Sequence, residues 1–118
     1  DAVLLSHTAY LNGIDGICLT KIDVLDGLKK IKICTDYTSA LSREEVLESM
    51  ALKDIEPQYI ELNGWEESTA GIQKFSDLNP QAVMFVEKIE ELCNTPVVMI
   101  STGPRREDII IREYPLEK

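Results

Sequence analysis

The chain has 118 residues, a formal net charge of −9, and 44% hydrophobic and 28% charged residues, which is typical of one globular domain with a modest core. The acidic balance argues against nucleic-acid binding, which usually needs a basic surface. No apolar run reaches the roughly 20 residues that span a bilayer, and no secretory leader pattern opens the sequence. We therefore expect a cytoplasmic protein with no nucleic-acid or membrane partner.

The first part of the chain predicts one helix and two strands. Apolar residues at helical spacing, with Asp1 as an N-terminal cap, predict a helix over residues 1–12. The apolar run at 16–19 predicts a short strand that is buried on both faces. Alternating polar and apolar residues predict a half-exposed strand at 29–37.

The middle of the chain is less regular. Ser42-Arg43-Glu44-Glu45 is a helix-start signature, and an alternating strand is predicted at 57–62. Asn63-Gly64 then predicts a turn that leads into Trp65. A lone aromatic residue of this kind more often packs in a core than stacks on a ligand.

The last part of the chain predicts a helix followed by two strands. Asn79 as cap and Pro80 at the first helical position predict the start of this helix. Buried strands are predicted at 97–100 and at 109–111, the second one pairing beside the first. Helices that alternate with apolar strands indicate an α/β fold with a mostly parallel sheet flanked by helices.

The sequence contains three cysteines and one histidine, namely Cys18, Cys34, Cys93 and His7. The cysteine count is odd and no CxxC pair occurs, so we expect reduced side chains that act as small apolar residues. His7 has no cysteine at metal-ligand spacing, and we expect no metal site formed by this chain alone.

Polar loops follow two of the predicted strands. Lys21 and Asp23 come after the run at 16–19, and Ser101-Thr102-Gly103-Pro104 begins where the strand at 97–100 ends. Ligands of open α/β sheets bind beyond the carboxyl ends of the strands. Both loops therefore lie where a ligand is expected, and the two could close on one flat base.

The Lys21-x-Asp23 spacing suits the reading of a guanine base. Guanine presents its N1–H and its exocyclic amine side by side, and one carboxylate accepts from both in a bidentate, charge-assisted pair. Adenine would leave the carboxylate of Asp23 unpaired, at a cost on the order of a thousandfold in discrimination. Lys21, on the same side of an extended segment, would lay its methylene stem on the base.

Each loop also has a plain structural interpretation. Lys-x-Asp is common in surface turns, and Ser101-Thr102-Gly103-Pro104 is typical of a connection from a strand into a turn. In the functional interpretation, Gly103 lets backbone N–H groups approach the carbonyl oxygen of the base. Neither loop supplies a reactive group, so we assign no catalytic residue to this chain.

Three residue pairs receive structural interpretations. Ser68-Thr69 is expected to hold a turn. Arg105-Arg106 either reaches a phosphate or, as the preferred interpretation, is an exposed basic pair. Glu90-Glu91 is interpreted as a solvated helix face rather than as a catalytic pair, because nothing places it in a pocket.

Several segments resemble one known family in its own order along the chain. Residues 18–28, the Gly64-Trp65-x-x-Ser68-Thr69 turn, and 89–92 followed by 97–104 are similar to the C-terminal guanine-binding part of adenylosuccinate synthetases. These segments span essentially the whole chain. Residues 1–118 are therefore identified as a single C-terminal segment of such an enzyme.

The resemblance implies a fold related to P-loop nucleotide-binding proteins and a GTP-dependent ligase of AMP biosynthesis. The family joins IMP and L-aspartate into adenylosuccinate with the help of Mg2+, usually as a homodimer: GTP phosphorylates the 6-oxygen of IMP, and aspartate displaces the phosphate. The family's guanine-contacting positions correspond here to Lys21, Ile22, Asp23, Ser101, Thr102, Gly103 and Pro104. Asp26 and Gly27 also match family positions and are interpreted as loop structure.

The family's glycine-rich phosphate loop, its catalytic residues and its arginine-rich loop have no counterpart in this sequence. Together with Asp1 in place of a Met, this predicts a piece of a longer enzyme that is inactive alone and binds GTP weakly or not at all. Two alternatives remain open. One is a stand-alone guanine-nucleotide-binding or regulatory module without catalysis, and the other is a purely structural α/β domain.

Overall fold

The structure, a computed structural model, describes residues 1–38 and 55–112. In these stretches the chain forms two α-helices and five strands, joined by loops and two short 3-10 turns. The helices and strands are α1 (Ala2–Asn12), β1 (Ile17–Leu19), β2 (Lys30–Thr38), β3 (Glu56–Asn63), α2 (Pro80–Cys93), β4 (Val97–Ser101) and β5 (Ile109–Ile111). The helix start predicted at Ser42-Arg43-Glu44-Glu45 lies outside the described residues.

The N-terminal helix forms as its sequence predicts. The Asp1 side chain accepts a hydrogen bond from the backbone N–H of Leu4 at 3.0 Å, which satisfies one of the free donors at the helix start. Gly13 ends α1 in the left-handed conformation, at φ 58° and ψ 46°. The helix turns Ala2, Val3 and Ala9 toward the core.

The second helix is also confirmed. The side chain of Asn79 accepts from the backbone N–H of Ala82 at 2.8 Å, and Pro80 occupies the first turn of α2. The helix ends at Asn94, which adopts a left-handed φ of 48°. Its inward face is apolar and buries Ala82, Phe85, Val86, Ile89 and Cys93. None of the helices in the described stretches has the length and apolar character needed to cross a membrane.

The five described strands form two sheets. One has the order β1-β4-β5, with β1 parallel and β5 antiparallel to β4, and the other is the antiparallel pair β2–β3. The α/β class is confirmed, but the mostly parallel sheet is not found in the described residues. The chain returns from β4 to β5 through the short loop 102–108, and a connection of that length cannot make the crossover that a parallel pair needs.

The predicted burial of β1 on both faces is wrong. Ile17 is buried, whereas Cys18 is exposed, because neighbouring side chains of a strand point to opposite faces and only the Ile17 face packs on the described core. The other two cysteines are buried, and all three are free thiols as expected. The core next to β1 is formed instead by β4 and α2.

The predicted solvation of Glu90 is also wrong. Its carboxylate accepts from the backbone N–H of Val97 at 2.7 Å and from the guanidinium of Arg112 at 2.6 Å. The same guanidinium lies 4.2 Å from the ring centroid of Phe75. Glu90 therefore fastens the end of α2 to the start of β4, while its neighbour Glu91 is exposed as predicted.

A close backbone approach at Gly64 joins the β2–β3 pair to the loop after β1. A Cβ atom at Gly64 would lie 1.7 Å from the carbonyl oxygen of Leu28. The backbone N–H of Gly64 donates to Lys29 at 3.0 Å, which holds the two segments at this spacing. Only glycine fits at this position.

We therefore expect Gly64→Ala to destabilise the protein by about 3 kcal/mol or more, at the upper end of what overpacking costs, because a backbone carbonyl cannot rotate out of the way. Gly13→Ala is the matched control. Gly13 has a φ of +58° and no atom within 4 Å of the added Cβ, so only its left-handed backbone costs energy, roughly 1–2 kcal/mol. Urea unfolding of both variants measures the difference, and equal losses would contradict the steric argument.

Candidate functional site

The first predicted loop is a compact turn rather than an extended segment. Lys21 follows β1 in the left-handed conformation, at φ 60° and ψ 46°, and residues Ile22–Leu25 form one 3-10 turn. Ile22 is 1% exposed. Burial of this side chain draws the chain back toward the core, so the expectation of an extended segment from Lys21 to Asp23 is wrong.

Asp23 carries the most informative side chain of the turn. Its Oδ1 is buried and has no hydrogen-bond partner among residues 1–38 and 55–112. Buried polar atoms in folded proteins almost always have partners, so an unsatisfied carboxylate oxygen requires an explanation. Lys21, by contrast, is exposed to solvent.

The structure brings the two predicted loops together. β1 and β4 are parallel neighbours in which Leu19 pairs with Ile100, so their carboxyl ends lie at one edge of the sheet. The hydroxyl of Ser101 accepts from the backbone N–H of Lys21 at 3.4 Å and donates to the carbonyl of Gly103, also at 3.4 Å. Ser101 is thus the residue through which the loops touch.

Thr102 has a different place from its neighbours. It is fully buried, and its hydroxyl donates to the carbonyl of Ile72 at 2.8 Å. Its backbone N–H donates to the carbonyl of Asp108 at 2.9 Å. Both donors of Thr102 are therefore occupied inside the protein, and Thr102 holds the loop rather than offering a side chain to a ligand.

The two residues that complete the second loop differ in exposure. Gly103 is half-buried, and a Cβ there would lie 2.5 Å from Oδ2 of Asp108. This contact gives the glycine a steric role that the sequence did not predict. Pro104 is exposed.

Arg105 is exposed but not unpaired. Its guanidinium hydrogen bonds to the buried carboxylate of Asp108, and the hydrogen bond from Arg105 lowers the pKa of Asp108 below its ordinary value despite the opposing effect of desolvation. The expected exposure of the basic pair is confirmed for both arginines, although one of them has a partner. Arg106 is exposed, whereas Arg105 is engaged with a partner that sequence reasoning missed.

Asp26 is the most heavily hydrogen-bonded side chain of the region. Its Oδ1 accepts from the indole N–H of Trp65 at 2.7 Å and from the hydroxyl of Thr69 at 2.8 Å. Its Oδ2 accepts from the backbone N–H of Thr69 at 2.8 Å and from the hydroxyl of Ser68 at 3.1 Å. Asp26 is thus a structural residue, and Ser68 and Thr69 hold a turn, as predicted.

Trp65 packs in the core as predicted. It is 3% exposed, and its ring centroid lies 6.1 Å from that of Phe85. A buried indole N–H needs an acceptor, which Asp26 supplies.

The segment 65–72 contacts both loops. Near its start, Trp65, Ser68 and Thr69 bond to Asp26; at its end, the backbone N–H of Gly71 donates to the carbonyl of Thr102 at 3.2 Å. The sequence showed the Trp65 and Ser68-Thr69 pattern but not that it links the two strand-end loops.

These contacts predict how stability depends on pH. Partial burial raises the pKa of Asp26, but the hydrogen bonds from Trp65, Thr69 and Ser68 together outweigh it, so the pKa lies below its ordinary value. The charged form is therefore favoured by folding. The stability it contributes is complete above about pH 4, the unfolded value, and is lost as the pH falls through the lower folded pKa.

We expect Asp26→Asn to lower the free energy of unfolding at pH 7 by about 2–3 kcal/mol, because an amide places donors against donors. It should also flatten the loss of stability on acidification below about pH 4. Urea unfolding between neutral and acidic pH measures both effects. Glu66→Gln, which neutralises an exposed carboxylate near the same turn, is the control, and an equal effect of the two substitutions would refute the assignment.

The family model for adenylosuccinate synthetase matches residues 1–110. Adenylosuccinate synthetase of Nitrosomonas eutropha is 46% identical over 98% of this chain, and that of Alkalilimnicola ehrlichii is 44% identical over 99%. The chain spans only 28% of the length of either relative.

A solved structure agrees with the sequence comparison. The structure of fully ligated adenylosuccinate synthetase from Plasmodium falciparum superposes with a TM-score of 0.83 at 31% identity, over 96% of this chain and 28% of that one. Sequence and fold therefore point to the same family. The chain belongs to the adenylosuccinate synthetase family.

Proposed function

We propose that this chain is the guanine-recognising part of an adenylosuccinate synthetase, a GTP-dependent ligase that joins IMP and L-aspartate. The observation that carries the proposal is the buried Oδ1 of Asp23, which has no partner in the described stretches. It lies in the loop that follows β1, next to a second loop at the same sheet edge.

Leaving a buried hydrogen-bonding group unsatisfied costs about 1–3 kcal/mol, and more when the group is charged. A guanine base removes that cost, because its N1–H and exocyclic amine donate together to one carboxylate. Adenine has an acceptor at N1 and only a C–H at position 2, and its amine lies at position 6, so it cannot present two adjacent donors to this carboxylate. The same carboxylate therefore both attracts GTP and rejects ATP.

The second loop suits the opposite edge of the base. Ser101 contacts the Lys21 backbone, and the Asp108 carboxylate fills the space that a side chain of Gly103 would need, which leaves the other side of the Gly103 backbone for a base. We assign Ser101 and Gly103, with Pro104 beside them, to the carbonyl side of guanine. Lys21 would cover the base plane with its methylene stem, since its side chain is exposed.

The chemical steps belong, in this proposal, to the full-length enzyme and not to this chain. GTP, IMP, L-aspartate and a second copy of the enzyme are its proposed partners. Within the described residues, no group of three or more His, Cys, Asp or Glu side chains is placed to hold a metal ion. We therefore name no Mg2+ ligand among these residues and derive no step through the metal.

In the full-length enzyme, we expect Asp23→Asn to reduce kcat/KM for GTP by about a thousandfold, because a charge-assisted bidentate pair is lost and an amide donor faces the guanine amine. Xanthine carries a carbonyl oxygen where guanine carries that amine. The variant should therefore gain activity with XTP. Steady-state assays with GTP, XTP and ATP measure this change in nucleotide preference.

Glu56→Gln serves as the control, since it neutralises an exposed carboxylate on β3 and should leave all three nucleotide preferences unchanged. An Asp23→Asn enzyme that keeps the wild-type preference for GTP over XTP and ATP would refute the guanine assignment.

A further inference from the structure

The turn between β4 and β5 is closed by an ion pair inside the loop. Asp108 directly precedes β5 and is 3% exposed. Its Oδ2 accepts from the backbone N–H and the Nε–H of Arg105, both at 3.1 Å, and its Oδ1 accepts from Nη2 at 2.9 Å. The backbone N–H of Asp108 donates back to the carbonyl of Arg105 at 3.1 Å.

Asp108 also touches the loop proposed to receive the carbonyl side of guanine. Its carbonyl accepts from the backbone N–H of Thr102 at 2.9 Å. Its carboxylate lies against Gly103, where an added Cβ would be 2.5 Å from Oδ2. Asp108 therefore lies against the backbone of this loop at both Thr102 and Gly103.

The side chain of Arg105 is 66% exposed, which by itself would suit a phosphate contact. Its Nε and Nη2 are directed at Asp108, however, and Nη1 lies 3.7 Å from Glu107. A planar guanidinium that forms a two-point pair with one carboxylate fixes that carboxylate more firmly than an ammonium would. The geometry of Arg105 favours holding the loop over binding a phosphate.

We propose that Asp108, held by Arg105, is a positioning residue that sets the backbone of the 101–103 loop for the carbonyl edge of guanine. The inference rests on the proposed function, and it assigns Asp108 no contact with substrate. Asp23 reads the amine edge of the base, and Asp108 acts on the other edge through the backbone of Gly103.

Two GTP analogues separate the two edges. ITP lacks the exocyclic amine, so the ratio of kcat/KM for GTP over ITP reports on Asp23. In 6-thio-GTP a weaker sulfur acceptor replaces the carbonyl oxygen, so the ratio of GTP over 6-thio-GTP reports on the 101–103 loop. A defect that merely destabilises the protein would lower all activities together and leave both ratios unchanged.

In the full-length enzyme, we expect Asp108→Asn to raise KM for GTP about tenfold and to lower the GTP over 6-thio-GTP ratio by a similar factor, since small displacements of positioning groups are costly. The GTP over ITP ratio and KM for IMP should change by less than about twofold, as both depend on groups outside the loop. Arg105→Lys keeps the charge but loses the two-point pair, so a smaller effect of about threefold is expected.

Arg106→Gln is the control for loss of a neighbouring exposed positive charge, and it should leave both ratios unchanged. Equal changes of the GTP over 6-thio-GTP ratio in Arg106→Gln and Arg105→Lys would overturn the proposal, because the two arginines would then act only by attracting the phosphates. An unchanged GTP over 6-thio-GTP ratio in Arg105→Lys would also overturn the proposal, even if Asp108→Asn failed to fold. If Asp23→Asn did not shift the nucleotide preference from GTP toward XTP, the guanine assignment itself would be refuted, so the two failures are distinguishable.

Discussion

The carboxylate of Asp26 holds the site's two elements together. It accepts hydrogen bonds from Trp65, Ser68 and Thr69, and so fixes the turn after β1 to the 65–72 segment. The far end of that segment bonds to Thr102 in the second loop. The carboxylate of Asp26 therefore helps to set the relative position of the two loops, although it is not one of the proposed guanine contacts.

Three aspartates near this edge of the sheet show how one residue type serves different purposes. Asp26 and Asp108 have their oxygens occupied by donors from the protein, and hydrogen bonding lowers the pKa of each. Asp23 keeps one buried oxygen without a partner in the described residues. Carboxylates with donors stabilise the fold, whereas a buried carboxylate oxygen without a donor lowers the stability until a ligand supplies one.

The sequence predicted the elements whose signals are local. The caps at Asp1 and Asn79, the alternation along β2 and β3, and the apolar run of β4 each depend on neighbouring residues, and the structure agrees with all of them. The position of two polar loops after apolar strands indicated where a ligand would bind, and the family resemblance then implied that the ligand is a guanine nucleotide. Burial of β1 on both faces and the mostly parallel character of the sheet were mispredicted, because strand order and the covering of each sheet face are not encoded within a strand.

The sequence by itself determined the family and the two loops that we propose to contact guanine, one with Asp23 and one at Ser101 to Gly103. Only the tertiary structure decided how they are held. Asp26 and Thr69 are 43 positions apart, and Ile72 and Thr102 are 30 apart. Hydrogen bonds over such separations form only after the chain has folded, so no local sequence pattern predicts them. The contacts of the 65–72 segment with both loops are therefore visible only in the tertiary structure.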